Sequence, residues 1–500
     1  MLNIIKKRPA VLLILFFLLS IAIRYPHLNR PLSKHHEFNA GMVLVCIDTW
    51  NTNGGPSYSG FCPVLNYTNK GDKFFSSKYA NTTSVNGDDL YMSFGPGWFL
   101  FPYYFFKVFH LPASPLSLQF FDILLCLLSM ALVFKIAKKM FNEESDAMPT
   151  KAIIATILFL LNPASLWYFG NGFVHEVMTI PFFLAAAYVF LSFIENGSNI
   201  TFKRLLLYGI LLITGIFCDW LCVFWSGITI LYAFFRSRKD KQWGNYIIVT
   251  ILSTIMAIAI VFLVYGHHVG YKNYFTLLHS RYDYRGMNEE NSGSLFSYYW
   301  IILKNYLTSY LPLFIALLIL LIINRRMIRP AIIKQHPGAF SFIVLLVATC
   351  LLHHFIFPQF SGHEYAVFKS ALFLSLCTAA LSTNYKTSYI IIGLFIILSI
   401  AQFYYINPVG AYSFDGERYD YAKTIGNSIK ENASADEVVY INYKNGLAEP
   451  QIMYYAKRTC FGSPNLQDAK VRLADQTYAQ KAVWFDIVND SVTSIIHFSK

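Results

Sequence analysis

From residue 244 to 265 the chain carries no charged side chain, and runs of this kind recur along its length. A stretch of about 20 apolar residues is long enough to cross a bilayer as a helix. Such repetition restricts the chain to a bundle of membrane helices. Composition agrees: 55% of residues are hydrophobic and 14% are charged, against about 25% charged in soluble domains. The formal net charge of +12 sits in short basic clusters beside apolar runs, the pattern of cytoplasmic loops rather than of a nucleic-acid surface. No nucleic-acid partner is expected.

Topology follows from those clusters. Lys6, Lys7 and Arg8 precede an apolar run from Ala10 to Ile23, followed by Arg24-Tyr-Pro with no small-residue cleavage site, so this run reads as an uncleaved first span with its N-terminus inside. Residues 26–93 are rich in Asn, Gly and Ser and form an outer loop. The segment Phe94 to His110 contains Gly95, Pro96, Gly97, Pro102 and Lys107 and is short for a span. Placed in the interface as a juxtamembrane helix, it leaves Lys135, Lys138, Lys139, Lys203, Arg204, Arg236, Arg238, Lys239, Arg325, Arg326, Arg329 and Lys386 all inside. Further spans are then expected at residues 116–137, 152–168, 177–194, 205–218, 220–235, 244–265, 299–323, 340–357, 366–383 and 387–406, about eleven in all by the ~20-residue criterion. An odd number puts the C-terminus outside.

The predicted fold class is an α-helical polytopic membrane protein with a small C-terminal α/β extracytoplasmic domain. Its membrane part covers residues 1–406, with 26–115 a first outer loop holding juxtamembrane helices, and its soluble part covers 407–500. Within the latter, residues 417–432 read as an amphipathic helix, Glu437 to Tyr443 as a strand, Pro450 to Arg458 as a helix, and Val483 to Val488 and Val492 to His497 as strands. The eight cysteines form no CxxC pair; Cys46 and Cys62 share the outer loop, where an oxidising compartment would allow them to pair.

This topology collects the polar outliers on one face. His35, His36 and Glu37 lie in the first loop, His175 and Glu176 in the next outer turn, and Lys272, Arg281 and Arg285 in the loop after residue 265; His353, His354, His363 and Glu364 follow later. An acidic group at a membrane surface takes a proton from a hydroxyl while neighbouring cations hold a lipid phosphate. Imidazole and carboxylate also suit a divalent cation, so a metal stays open as an alternative, although no two of these His and Glu residues have the i, i+4 spacing of a helical ligand motif. Walker A, GxGxxG, GxSxG and Asp-x-Asp motifs are absent from the sequence. The donor is therefore expected in the bilayer.

The order of elements resembles the GT-C glycosyltransferases, in particular the branch with protein O-mannosyltransferases and the aminoarabinose transferase of lipid A. The resemblance rests on Arg24-Tyr-Pro-His-Leu-Asn-Arg30-Pro with His36-Glu37, on Gly95-Pro96-Gly97-Trp98 through Tyr103-Tyr104, and on Asn162-Pro163 through Tyr168 followed by Glu176. Two departures stand out: His36 replaces the Asp of an Asp-Glu pair, and only Pro96 remains of a Pro-Pro pair. The resemblance implies an inverting glycosyltransferase that uses a polyprenyl-phosphate-linked sugar and a lipid, glycan or protein acceptor. It also implies a bacterial inner (plasma) membrane location, with the active site and C-terminus periplasmic. Glu37 is expected as general base, helped by His36 or Glu176, with Arg281, Arg285 and Lys272 on the lipid phosphate. The rival classes are a transporter or flippase of a lipid-linked solute, disfavoured because the spans are almost free of charge, and a glycan polymerase or ligase using a diphosphate carrier.

Overall fold

The structure, a computed structural model, describes residues 9–33, 35–73, 82–143, 148–196, 200–285, 295–324, 337–407, 410, 412, 416–442, 446–447 and 449–500. Lys6, Lys7, Arg8, Lys34, Arg325, Arg326 and Arg329 lie outside the described residues. The membrane part runs α1 (Pro9–Arg24), α2 (Phe38–Thr52), the hairpin β1 (Thr82–Val85) and β2 (Asp88–Tyr91), α3 (Gly97–Val108), α4 (Pro115–Met140), α5 (Thr150–Leu161) and α6 (Pro163–Tyr168). It continues with α7 (His175–Asn196), α8 (Phe202–Cys218), α9 (Leu221–Ser237), α10 (Gln242–Val269), α11 (Tyr271–Arg285), α12 (Leu295–Ile323), α13 (Pro337–Ile356), α14 (Ala371–Ala380) and α15 (Tyr385–Ile406).

Seven helices among the described residues are long and apolar enough to cross a membrane: α1, α4, α7, α10, α12, α13 and α15. The other four expected spans correspond to shorter helices. Residues 152–168 are interrupted where Asn162 accepts from the Ser165 amide at 2.9 Å and Pro163 opens α6, a cap and first-turn proline that start a new helix. The remaining three, α8, α9 and α14, have 17, 17 and 10 residues. At 12 residues α3 is about 18 Å long, too short for a hydrocarbon core of about 30 Å.

Helix ends with basic clusters gather at one end of the bundle. Lys139 pairs with Glu195 at 2.6 Å and the Ile200 amide reaches Gln242 Oε1 at 3.1 Å, joining the last turns of α4 and α7 to the start of α10. The start of α7, the α8–α9 turn and α11 lie at the other end, beside the first loop.

The C-terminal sheet region contains α16 (Tyr421–Asn432), β3 (Glu437–Ile441), β4 (Gly446–Leu447), α17 (Pro450–Ala456), β5 (Cys460–Gly462), α18 (Leu466–Ala474), β6 (Lys481–Val488) and β7 (Ser491–Ser499). The strand order is β4-β5-β3-β6-β7. Central β3 pairs in parallel with β5 and β6 and is buried throughout, as an apolar strand covered on both faces should be. Helix α18 and strand β5 had no counterpart in the sequence reading.

This region is fastened to the first loop. Helix α17 crosses α2 so closely that a Cβ on Gly41 would lie 2.8 Å from the Gln451 nitrogen, so glycine is required there. Gln451 Nε2 donates to Ser33 O at 2.9 Å, Thr459 Oγ1 accepts from the Tyr67 amide at 2.9 Å, and Arg458 meets buried Asp72 at 3.0 Å. Cys46 and Cys62 are both buried free thiols.

Candidate functional site

A cavity of about 590 Å³ opens where these pieces meet. Helix α2 and the first loop supply Phe38, Asn39, Met42 and Leu65, and the approach to α3 supplies Asp89, Tyr91 and Phe94. His175 comes from α7, Arg281 and Arg285 from α11, and Tyr298 and Ile301 from α12. The segment after α13 adds Gln359, Phe360, Gly362, His363 and Tyr365, while α17 closes the wall with Pro450 and Met453.

The two arginines are held differently. Arg281 Nη2 donates to Ser93 Oγ at 2.6 Å and is buried. Arg285 lies over the rings of Phe94 and Phe360, 4.4 and 5.0 Å from their centroids, a cation–π cradle that fixes the guanidinium while leaving its N–H groups for an anion. Four residues apart on one helix, both face the cavity. Lys272 is nine residues before Arg281, about 180° around the helix, and is exposed on the far side. The structure thus brings Arg281 and Arg285 to the cavity and leaves Lys272 out of it.

Behind the cavity wall, His175 Nε2 lies 3.1 Å from Glu176 Oε2 and 3.5 Å from Asp219 Oδ2. All three side chains are buried. Phe94 stacks on the imidazole at a centroid distance of 3.5 Å. Among the described residues, neither ring nitrogen of His175 nor either carboxylate oxygen of Glu176 has a hydrogen-bond partner. Buried polar atoms without partners are costly and mark places where a bound group or a proton is expected. Burial pushes the Asp219 carboxyl up to about 6, against the opposing pull of His175 and with a further push from Glu176. Buried Lys369 adds positive charge near both acids. One ligand atom from each of His175, Glu176 and Asp219 falls within 4.8 Å of the others, a donor set that fits a divalent cation.

The first-loop histidines are used otherwise. His35 and His36 both have left-handed backbones, with φ of 21° and 65°, and point their Nε2 atoms at Glu364 Oε2 from 3.7 and 3.5 Å. Burial pushes His35 down to about 3. Burial would raise the Glu364 carboxyl, but the His36 hydrogen bond and the basic groups around it bring it below its usual value. His36 also touches Tyr365 and His363, two cavity-lining rings, at centroid distances of 5.2 and 6.5 Å.

Glu37, expected as general base, does not line the large cavity. Its carboxylate accepts from Arg30 Nη2 and from the Ser33 amide, each at 2.5 Å, and from Arg30 Nη1 at 3.2 Å; only 1% of the residue is exposed. Arg30 in turn lies 4.2 Å from the Tyr419 ring centroid. This carboxylate braces the turn before α2 and borders a separate cleft of about 10 Å³. Asp219 and Lys369 were missed, although a lone ionisable residue among apolar helices is itself a signal of function.

No protein-family model matches the chain, and no curated protein matches it in sequence. Solved structures do. The archaeal oligosaccharyltransferase AglB from Archaeoglobus fulgidus, in complex with an inhibitory peptide and a dolichol-phosphate, superposes with a TM-score of 0.57 at 12% identity, covering 95% of this chain and 69% of that one. The Archaeoglobus fulgidus enzyme in complex with Zn and sulfate gives 0.55 at 12% identity over 95% and 67%. The form tethered with an acceptor peptide containing the NVT sequon gives 0.55 at 11% identity over 96% and 69%. The chain is a multi-helix membrane protein with the fold of these archaeal oligosaccharyltransferases.

Proposed function

We propose that the protein is an inverting glycosyltransferase that moves a sugar from a polyprenyl-phosphate carrier to a lipid, glycan or protein acceptor on the outer face of the membrane. The observation that carries this reading is the meeting of Arg281 and Arg285 with the buried His175–Glu176–Asp219 cluster around one cavity. The fold supports it, since the archaeal neighbours are oligosaccharyltransferases, one of them holding a dolichol-phosphate.

In this reading His175, the cluster member that lines the cavity, takes the proton of the acceptor hydroxyl. Glu176 and Asp219 stabilise the imidazolium that forms. The acceptor oxygen bonds to the anomeric carbon from the side opposite the carrier, the carbon–oxygen bond to the phosphate breaks, and its electron pair leaves on the lipid phosphate. Arg285 and Arg281 stabilise that charge. If His175, Glu176 and Asp219 instead held a divalent cation, it would supply positive charge to the leaving phosphate in place of the imidazolium. The remaining parts of the proposal are the eleven-span count, with α5–α6, α8, α9 and α14 counted as crossings, the boundary at residue 407, the periplasmic C-terminus and membership of the O-mannosyltransferase and aminoarabinose-transferase branch.

The test is mass spectrometry of surface glycans and membrane lipids from cells lacking the protein. Loss of one sugar together with accumulation of its polyprenyl-monophosphate donor is the expected result. Accumulation of a diphosphate-linked glycan would favour the polymerase or ligase reading, and an unchanged glycan profile would remove the transferase reading altogether.

A further inference from the structure

A second cavity, of about 270 Å³, lies away from the site above, between the end of α2 and the second half of α3. Ile47 and Asn51 line one side, and Tyr103, Phe106, Lys107, His110 and Leu111 the other. Lys107 makes no ion pair among the described residues; its ammonium rests 5.7 Å from the Tyr103 ring centroid. No acidic side chain lines this cavity. Its charge is therefore positive and uncompensated.

The surroundings place this cationic cavity at a bilayer surface. Immediately beside it, α3 and the residue that follows it expose Tyr104, Val108 and Phe109 at 49%, 69% and 59%. Three large apolar side chains next to a lysine are unfavourable in water and favourable in the interfacial layer, where the rings and chains enter the acyl region and the ammonium stays among the head groups. Five residues after His110, α4 begins, and it is one of the helices long and apolar enough to cross the membrane. The cavity mouth thus lies at head-group depth.

We propose that this cavity is a binding site for the phosphate head group of an anionic bilayer lipid, with Lys107 as its cation, His110 and Asn51 as hydrogen-bond donors, and Tyr104, Val108 and Phe109 seated in the acyl layer beside it. The proposal rests on α4 crossing the membrane and not on the transferase reading. An ammonium near a lipid surface is worth about 1 kcal/mol, roughly fivefold in binding.

The full chain is reconstituted in vesicles of phosphatidylcholine with phosphatidylglycerol, and the lipid it retains is counted by native mass spectrometry after gentle detergent release. Wild-type protein is expected to retain phosphatidylglycerol over phosphatidylcholine. Lys107→Gln should lower that retention about fivefold, Lys107→Arg should keep it, and Lys203→Gln, at the opposite end of the bundle, should leave it unchanged. Lys107 is exposed, so its substitution leaves the packing intact, and amine-reactive labelling of Lys107 in wild-type protein gives an independent readout. Protection by phosphatidylglycerol vesicles alone supports the site. Retention that ignores Lys107→Gln overturns it, and equal protection by inorganic phosphate without lipid reassigns the cavity to a free anion and overturns the lipid proposal.

Discussion

The turn before α2 and the start of α7 each bury a glutamate beside a basic or imidazole partner, yet they are built in opposite ways. At the turn, both oxygens of Glu37 accept hydrogen bonds, three in all, from Arg30 and the Ser33 amide. At the start of α7, Glu176 and His175 are equally buried, and their polar atoms have no hydrogen-bond partners among the described residues. A satisfied buried ion pair fixes a conformation. An unsatisfied one stores capacity to bind or to move a proton. On this contrast we propose a structural role for the first glutamate and a chemical one for the second.

The sharpest way to break that contrast is to neutralise the acids one region at a time. Glu176→Gln together with Asp219→Asn is expected to lower transfer by about 10² to 10⁴ while the protein still accumulates in the membrane; full activity in a complementation assay at matched abundance would sink the assignment. Next in size, Arg285→Ala should cost about 10² in turnover with the lipid donor, and Arg281→Ala less, because Arg285 is the one set on ring faces in the cavity. A donor titration with unchanged turnover and apparent KM in both variants would place the phosphate elsewhere.

Glu37→Gln tests the other half of the contrast. Breaking a buried pair leaves Arg30 without its counter-charge and costs about 3 kcal/mol or more. The expected result is a lower Tm in detergent, with near-normal transfer per folded molecule. A variant of normal Tm that has lost transfer would return the base function to Glu37.

A smaller effect is expected in the pH profile. Asp219 is raised to about 6 in the folded protein, so its ionised form is disfavoured there. Its charge is lost as pH falls through about 6, well above the range of an ordinary aspartate near 3.9, and is present above that. Transfer should therefore fall on the acid side near pH 6, and Asp219→Asn should flatten that limb; a limb unchanged in that variant would assign it to another group. Smallest of all, Glu364→Gln should slow transfer only a few-fold, since it removes a tether of His35 and His36 and no group of the proposed proton path.

Much of the fold was legible because its signals are local. Apolar runs mark the long helices, and short β-branched and aromatic runs mark β3, β6 and β7. Short pieces such as β5 and α18 carry too few residues for a periodic signal and are fixed by their neighbours in the sheet. Within the site, Arg281 and Arg285 were legible as cations of an outer loop, but not the helix that sets them four residues apart on one face. The engagement of Glu37 was not legible, because its partner, Arg30, reaches it only through a folded-back turn that no spacing rule predicts. Asp219 and Lys369 join the cluster through long-range packing of α7, the α8–α9 turn and the segment before α14, which a linear reading does not bring together.

The fastening of α17 onto α2 has a consequence for how the protein is made. Ser33 bonds Gln451 and Tyr67 bonds Thr459 across 418 and 392 positions of chain. At about 5 to 20 residues per second of synthesis, the early loop waits roughly 20 to 80 s for the segment that completes it. Until then the cavity lacks the wall formed by Pro450 and Met453, so a ribosome-bound chain with all its long helices inserted is still an open vessel. Maturation to a working site is thus a late, post-insertion event, and a chain arrested before residue 450 should be fully membrane-embedded and yet inert.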